Sequence, residues 1–229
     1  MQPVFKGKTK DVFRSADDKY VLKFKDDLTG EDGVFDPGAN QVGLKLAGAG
    51  EAALRLSTFF FKLLQQKGIP THYLSSDLND QTMTVEPATP FGEGLEVICR
   101  YRAVGSFYRR YGKYVQNGEP LDAFVEFTLK DDEREDPPIT EDALIMLGIL
   151  TEDEYKTLYS LTRQIASIIK AELQKQNLEL YDIKLEFGRI GSALQIALID
   201  EISAGNMRVF QAGAQVQPLA LTEMILGNN

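Results

Sequence analysis

The chain has 229 residues, 43% of them hydrophobic and 26% charged, and carries a formal net charge of −9. That is enough chain to bury a sizeable core as one large domain or two small ones, and the acidic balance argues against a nucleic-acid binder, since phosphate backbones need a basic surface. No apolar run reaches the length of a membrane span and the start has no signal-peptide pattern. The one cysteine, Cys99, has no internal partner, so a reducing cytoplasm is the simplest expectation.

The first elements read as a sheet. Short strands at 4–5 and 11–13 flank Gly7-Lys-Thr-Lys10, a hairpin turn in which a glycine lets backbone N–H groups approach a phosphate while Lys8 and Lys10 supply charge. Taken alone, such a turn is more often only a turn. A strand follows at 20–24, then a helix from 51 to 67, closed by Gly68 and Pro70. Its apolar residues Ala52, Leu56, Phe59, Phe60, Leu63 and Leu64 fall at helical spacing and form core. His72 has no cysteine or histidine companions, which makes it a structural or a surface residue.

Further strands are expected at 82–85, 95–101 and 124–129. The stretch from Glu96 to Ser106 ends in a Gly-Ser turn that starts a short helix carrying Arg109 and Arg110. Helix N-termini bind anions and arginine adds bidentate contacts; the competing reading is a strand edge dressed with solvated arginines, which suits so acidic a chain less well. Cys99 lies inside this strand as a small hydrophobe. Lys130 comes directly after an apolar strand, a good station for a phosphate-binding lysine, yet the acidic loop from Lys130 to Asp136 fits a solvated surface equally well. The clearest helix runs from 152 to 176, with a Thr151/Glu154 capping box and a buried face of Tyr155, Leu158, Thr162, Ile165, Ile169 and Leu173.

The most informative segment is a hairpin at 182–201, turning through Gly191-Ser192. Asp182, Lys184 and Glu186 alternate with Ile183, Leu185 and Phe187, so three charges share one face. The return strand can carry Asp200 back towards Glu186. By itself this fits a hairpin with one solvated face somewhat better than its rival; the sharper reading is that a lysine and two acids hold a metal-bound polyphosphate.

Together these residues carry a resemblance. The stretches Gly7 to Val12, Phe24 to Asp27 with Asp32-Gly33, Gly68 to His72, Glu96 to Ser106, Lys130 to Asp132 with Asp136-Pro137, Asp182 to Gly188 and Asp200 to Ser203 resemble, in order, those of the SAICAR synthetases (phosphoribosylaminoimidazole-succinocarboxamide synthases). The resemblance implies an ATP-dependent ligase that joins L-aspartate to carboxyaminoimidazole ribonucleotide, with ATP as co-substrate and Mg²⁺ as cofactor. It implies an α+β fold, related to ATP-grasp: an antiparallel N-terminal sheet with one long helix at 1–90, and a second α+β region at 91–229. It places Gly7, Lys8, Lys10 and Lys130 on ATP, and Glu186 and Asp200 on the metal. Arg100, Ser106, Asp136, Lys184 and Arg208 are placed on the ribonucleotide. Lys130, Lys184, Glu186 and Asp200 form the catalytic set. Small molecules are the expected partners, and a homo-oligomer is left open.

The chain departs from the family in three places. Ala53-Leu54 stands where many members have Asn-Asn, Ser203-Ala-Gly205 stands where they have Ser-Pro-Asp, and the tail after Arg208 is short and lacks a basic segment. All three fall on the substrate side. A ligase or kinase acting on a different small acid, or a non-catalytic nucleotide-binding relative, are the alternatives left open.

Overall fold

The computed structural model describes residues 1–227. Strands β1 (Gln2–Lys6), β2 (Lys10–Arg14) and β3 (Tyr20–Phe24) open the chain, followed by three short strands, β4 (Asp27–Glu31), β5 (Val34–Phe35) and β6 (Val42–Lys45). Helix α1 (Ala49–Gln66) leads to β7 (Tyr73–Asp77), β8 (Thr82–Val85) and β9 (Ala88–Pro90). Then come β10 (Leu95–Arg102), α2 (Gly105–Tyr111), β11 (Pro120–Leu129), α3 (Glu141–Met146) and α4 (Glu152–Gln174). The chain closes with β12 (Glu179–Ile190), β13 (Gln195–Ile199), β14 (Met207–Gln211), β15 (Ala214–Gln215) and α5 (Pro218–Leu226).

These strands form three sheets. One has the order β1-β2-β3-β8-β7, one is the small sheet β5-β4-β6, and the third runs β11-β10-β12-β14-β15, with β9 and β13 also on β12. Every ladder between named strands is antiparallel. The fold is therefore the α+β type the resemblance implies. No helix among the described residues is long and apolar enough to cross a membrane.

Helix α1 starts two residues earlier than local cap rules predict. Its cap is remote: the Gly50 N–H donates to Asp26 Oδ1 at 3.0 Å, a partner 24 residues away. The expected stripe is also incomplete. Leu54, Phe61 and Ser57 are fully buried alongside Leu56, Phe60 and Leu64, while Phe59 and Leu63 are only half-buried. A helix buries more than one stripe when it is covered on several sides, and α1 meets α5, α4, β3, β4 and β7. Helix α4 follows its pattern closely. The Thr151 side chain accepts from the Glu154 N–H, the Glu154 side chain accepts from the Thr151 N–H, and Leu158, Thr162, Ile165, Ile169 and Leu173 are buried. It ends two residues early, at Gln174, because Asn177 takes a left-handed φ of 55° and turns the chain into β12.

Strand β12 is the spine of the third sheet. Along one edge it pairs with β10 over 182–186 and with β9 over 188–190. Along the other edge it pairs with β14 over 179–183 and with β13 over 186–190. β13 and β14 thus lie end to end, and the loop 200–206 fills the break between them. Ile183, Leu185 and Phe187 point into the core. Asp182, Lys184 and Glu186 therefore share the opposite face.

Candidate functional site

Residues two apart on one strand face are separated by roughly 6.6 Å, so Asp182, Lys184 and Glu186 make a row of charges about 13 Å long. Its Asp182 and Lys184 line a cleft of about 940 Å³ together with Glu96, Arg100 and Arg208, and the Glu186 end continues beyond that lining. Each charge in the row meets a partner of opposite sign delivered by another strand.

At the Asp182 end, Arg100 on β10 is 1% exposed. Its Nε donates to Glu126 Oε1 at 2.7 Å, its Nη1 to Asp182 Oδ2 at 2.6 Å and its Nη2 to Ser106 Oγ at 2.9 Å. The antiparallel register places Arg100 opposite both Phe124 and Asp182, which explains why strands on either side supply its acids. Arg208, opposite Asp182 on β14, donates to Asp182 Oδ2 at 2.8 Å and to Asp36 Oδ1 at 2.7 Å. Gly105 has to be glycine here: its φ is 56°, and a Cβ would stand 2.8 Å from the Arg208 guanidinium. Burial works against the Arg208 charge, but Asp182 and Asp36 outweigh it and hold the guanidinium protonated. Burial likewise opposes the Asp36 charge, yet Arg208 and the Gly38 N–H keep that carboxyl below its usual range.

In the middle, Lys184 Nζ meets Glu96 Oε1 at 2.8 Å, and Glu96 Oε2 accepts from Thr128 Oγ1 at 3.3 Å. Burial would lower this ammonium, but Glu96 raises it. The lysine is held charged, as a group binding an anion must be.

At the Glu186 end, Lys130 Nζ lies 2.6 Å from Glu186 Oε1. Lys10 Nζ is 3.1 Å from Asp200 Oδ1 and also bonds Glu201 Oε1. Glu201 Oε2 in turn accepts from Ser203 Oγ at 2.5 Å. Burial and the neighbouring Asp200 charge push Glu186 up, against the pull of Lys130. For Asp200 burial also acts upward, but Lys10 and Lys130 overcome it and the carboxyl falls to about 2. Two carboxylates close enough to perturb one another, with two lysines beside them, form a site in which an added cation relieves repulsion. No group of three or more His, Cys, Asp or Glu residues arranged for a metal occurs among the described residues. Two carboxylates still suit Mg²⁺, which is commonly held by one or two carboxylates plus substrate phosphates and water.

The residues expected from the sequence thus fall into two clusters along the row. Lys10, Lys130, Glu186 and Asp200 gather at one end. Arg100, Ser106 and Arg208 gather at the other, and Lys184 lies between. Asp136 lines the cleft at φ 48°, its Oδ1 accepting the Asp131 N–H at 2.8 Å. Lys8 reaches Asp132 of the acidic loop at 2.6 Å. The Gly7 N–H bonds the Lys10 carbonyl at 2.9 Å, and a Cβ at Gly7 would lie 2.5 Å from that oxygen, so turn closure is what demands glycine there. β13 ends at Ile199 rather than at 201: Asp200 leaves the strand with φ 65°. Cys99 is buried, its thiol pushed up to about 11 by burial, and is no nucleophile. His72 is buried as well, so the surface alternative falls.

Sequence reasoning missed Glu96, Glu126, Asp36 and Glu201, the acids that hold the cations in place. The available signal was a glutamate inside an otherwise apolar strand, at Glu96 and again at Glu126. The departures from the family also meet in space. Ala53 on α1 and Ser203, Ala204 and Gly205 line one small pocket that Glu201 also lines, whereas Leu54 is fully buried core.

The SAICAR synthetase family model matches residues 3–220. The chain is 63% identical over 226 residues to the phosphoribosylaminoimidazole-succinocarboxamide synthase of Clostridium tetani, covering 99% of this chain and 100% of that protein. It is 37% identical over 212 residues to the enzyme of that name from Finegoldia magna, covering 92% and 86%. Among solved structures, a type-2 SAICAR synthetase in complex with ADP superposes with a TM-score of 0.85 at 30% identity, over 98% of each chain.

Proposed function

The chain belongs to the SAICAR synthetase family, ATP-dependent ligases that join L-aspartate to carboxyaminoimidazole ribonucleotide in purine biosynthesis, and we propose that the charged row on β12 is where its two phosphate-bearing substrates meet. The observation that carries this reading is the division of the row. Its Glu186 end combines two lysines with two mutually repelling carboxylates, as a metal-bound polyphosphate requires, while its Asp182 end presents arginines and a serine.

A carboxylate is a poor electrophile and must be activated before an amine will attack it. Transfer of the ATP γ-phosphoryl group to the ribonucleotide carboxylate gives an acyl phosphate and ADP. The aspartate amine then attacks the acyl carbon, phosphate leaves, and the amine proton is released. Lys10 and Lys130, with the Gly7-Lys8 turn beside them, hold the ATP phosphates, and Lys130 neutralises the group in transfer. Glu186 and Asp200 would hold magnesium, which when bound would supply further positive charge against that group. Lys184, centrally placed and kept protonated by Glu96, faces the carboxylate as it becomes an acyl phosphate. Arg100, Ser106, Asp136 and Arg208 hold the ribonucleotide at the far end, so the roughly 13 Å row matches the reach from phosphoryl donor to ribonucleotide. No covalent nucleophile is needed, consistent with the buried, protonated Cys99. The unpaired thiol also suits a reducing cytoplasm.

The test is ADP release with each substrate omitted in turn, on the parent and on Glu186→Ala and Asp200→Ala. Steady release should need both ribonucleotide and aspartate, and both variants should fold but form no ADP. Turnover with neither co-substrate would point to a different acid; variants within a few-fold of the parent would remove the metal assignment.

A further inference from the structure

Asp200 is held in a backbone conformation it would not choose freely. Its φ of 65° lies in the left-handed region, which is strained for a non-glycine residue unless its surroundings impose it. The surroundings that do so come from a part of the chain that carries none of the assigned site residues. His72 Nε2 lies 3.2 Å from the Asp200 carbonyl oxygen. A carbonyl oxygen only accepts, so the contact needs a proton on Nε2 and fixes the imidazole in that tautomer.

The ring cannot turn away. It is 4% exposed and packs against Phe61 with centroids 5.4 Å apart. Its backbone is tied at both sides: the His72 N–H donates to the Leu198 carbonyl at 2.9 Å, and the Glu86 N–H donates to the His72 carbonyl at 2.8 Å. The Leu198 N–H donates to the Pro70 carbonyl at 3.0 Å, so the end of β13 is stitched to the segment 70–72 just before the chain reaches Asp200. The oxygen that His72 grips belongs to the peptide plane between Asp200 and Glu201. Orienting that plane orients both carboxylates that meet Lys10.

We propose that His72 is a positioning residue: its Nε2–H locks the Asp200–Glu201 peptide so that the Asp200 carboxylate faces Glu186 and the nucleotide-bound magnesium. This deepens the reading of Asp200 as a metal ligand and rests on it. Second-sphere donors to a ligating group are typically worth about 10–100-fold in metal affinity or activity, and one that acts through the ligand's own peptide belongs at the lower end, about tenfold.

His72 is the chain's one histidine, so its tautomer can be read in the unaltered protein from ¹⁵N-histidine NMR. The Nε2–H form is expected, and an Nδ1–H form would overturn the proposal whatever the variants do. Two substitutions then separate positioning from packing. His72→Phe keeps a ring against Phe61 and loses the donor, whereas His72→Gln can place an amide N–H near the same oxygen. ADP affinity is measured by calorimetry with and without Mg²⁺, beside kcat and KM. His72→Phe should bind metal-free ADP like the parent, lose about tenfold or more of the Mg²⁺-dependent gain, and lower kcat with an unchanged ribonucleotide KM. His72→Gln should recover most of that gain. A phenylalanine variant that keeps its full Mg²⁺-dependent gain reduces His72 to packing. If that variant fails to fold, the tautomer and His72→Gln decide, and loss of the gain in the glutamine variant would also overturn the proposal. Tautomer and ADP binding need neither ribonucleotide nor aspartate, so they stand or fall apart from the ligase reading.

Discussion

Replacing Arg100 by methionine tests how the ribonucleotide end of the cleft is built. Methionine fills much of the volume but leaves Glu126 and Asp182 without the guanidinium that binds both. Removing one partner of a buried ion pair costs about 3–5 kcal/mol, because the remaining charge stays buried. Here Asp182 keeps Arg208 at 2.8 Å and Glu126 keeps Arg110, so the lower end applies, about 3 kcal/mol. For a chain of 229 residues each kcal/mol moves Tm by about 2–4 °C, giving a fall of roughly 6–12 °C. Calorimetry on Arg100→Met, Glu126→Gln and the double variant closes a cycle. The double should be more stable than the sum of the singles by about 1 kcal/mol or more, since it no longer strands the Glu126 charge. A Tm within about 2 °C of the parent, or an additive double variant, would refute the argument.

Lys130→Ala should lower kcat more than it raises the KM for ATP, because the lysine acts on the group in transfer more than on bound ATP; an unchanged kcat in steady-state kinetics returns the 130–136 loop to solvated surface. Arg109 lines the cleft, acts on Asp36 through its charge, and has no ion pair of its own among the described residues, whereas Arg102 is tied to Glu179 and Arg110 to Glu126. Arg109→Ala should therefore raise the ribonucleotide KM several-fold and leave that for ATP unchanged; two unchanged KM values remove Arg109 from substrate binding. Burial lowers His72 from 6.5 to about 4. Below about pH 6.5 the unfolded chain takes a proton that the folded state refuses, so this share of stability is present above 6.5 and lost towards pH 4, by about 3 kcal/mol at ~1.4 kcal/mol per unit. Denaturant titrations of parent and His72→Gln should diverge across that window, and parallel curves would refute it.

The parts legible in the sequence were those written locally. Alternation at 182–187 gave the charged face correctly because its three apolar residues are core, and the capping box at Thr151 located the start of α4 to the residue. Parts set by distant contacts were not legible. The start of α1 depends on Asp26, and its second buried side on cover from several elements. The strands between residues 27 and 45 are two to five residues long, and two of them contain a glycine, so no period builds up to detect. The site divides the same way. Its lysines and arginines stand in motifs, but the acids that hold them charged join through strand register, as Glu96 does opposite Glu186 and Glu126 opposite Ile98, or through loops that fold back on the site, as Asp36 and Glu201 do.

Strand β12 gives the two walls of the cleft different characters. One wall is a single strand laced to four others, so the backbone amides it pairs with β10, β13 and β14 can meet exchanging solvent only when the sheet itself opens, close to the cost of global unfolding. Facing it, the segment 36–41 reaches that strand indirectly, through Asp36 to Arg208 of β14 and from Arg208 to Asp182. Ligand entry that breaks the Asp36 to Arg208 pair leaves the charged row where it was. The cleft is thus an anvil with a light jaw: chemistry is registered against a strand paired along both edges, and any accommodation of substrate falls to the residues opposite.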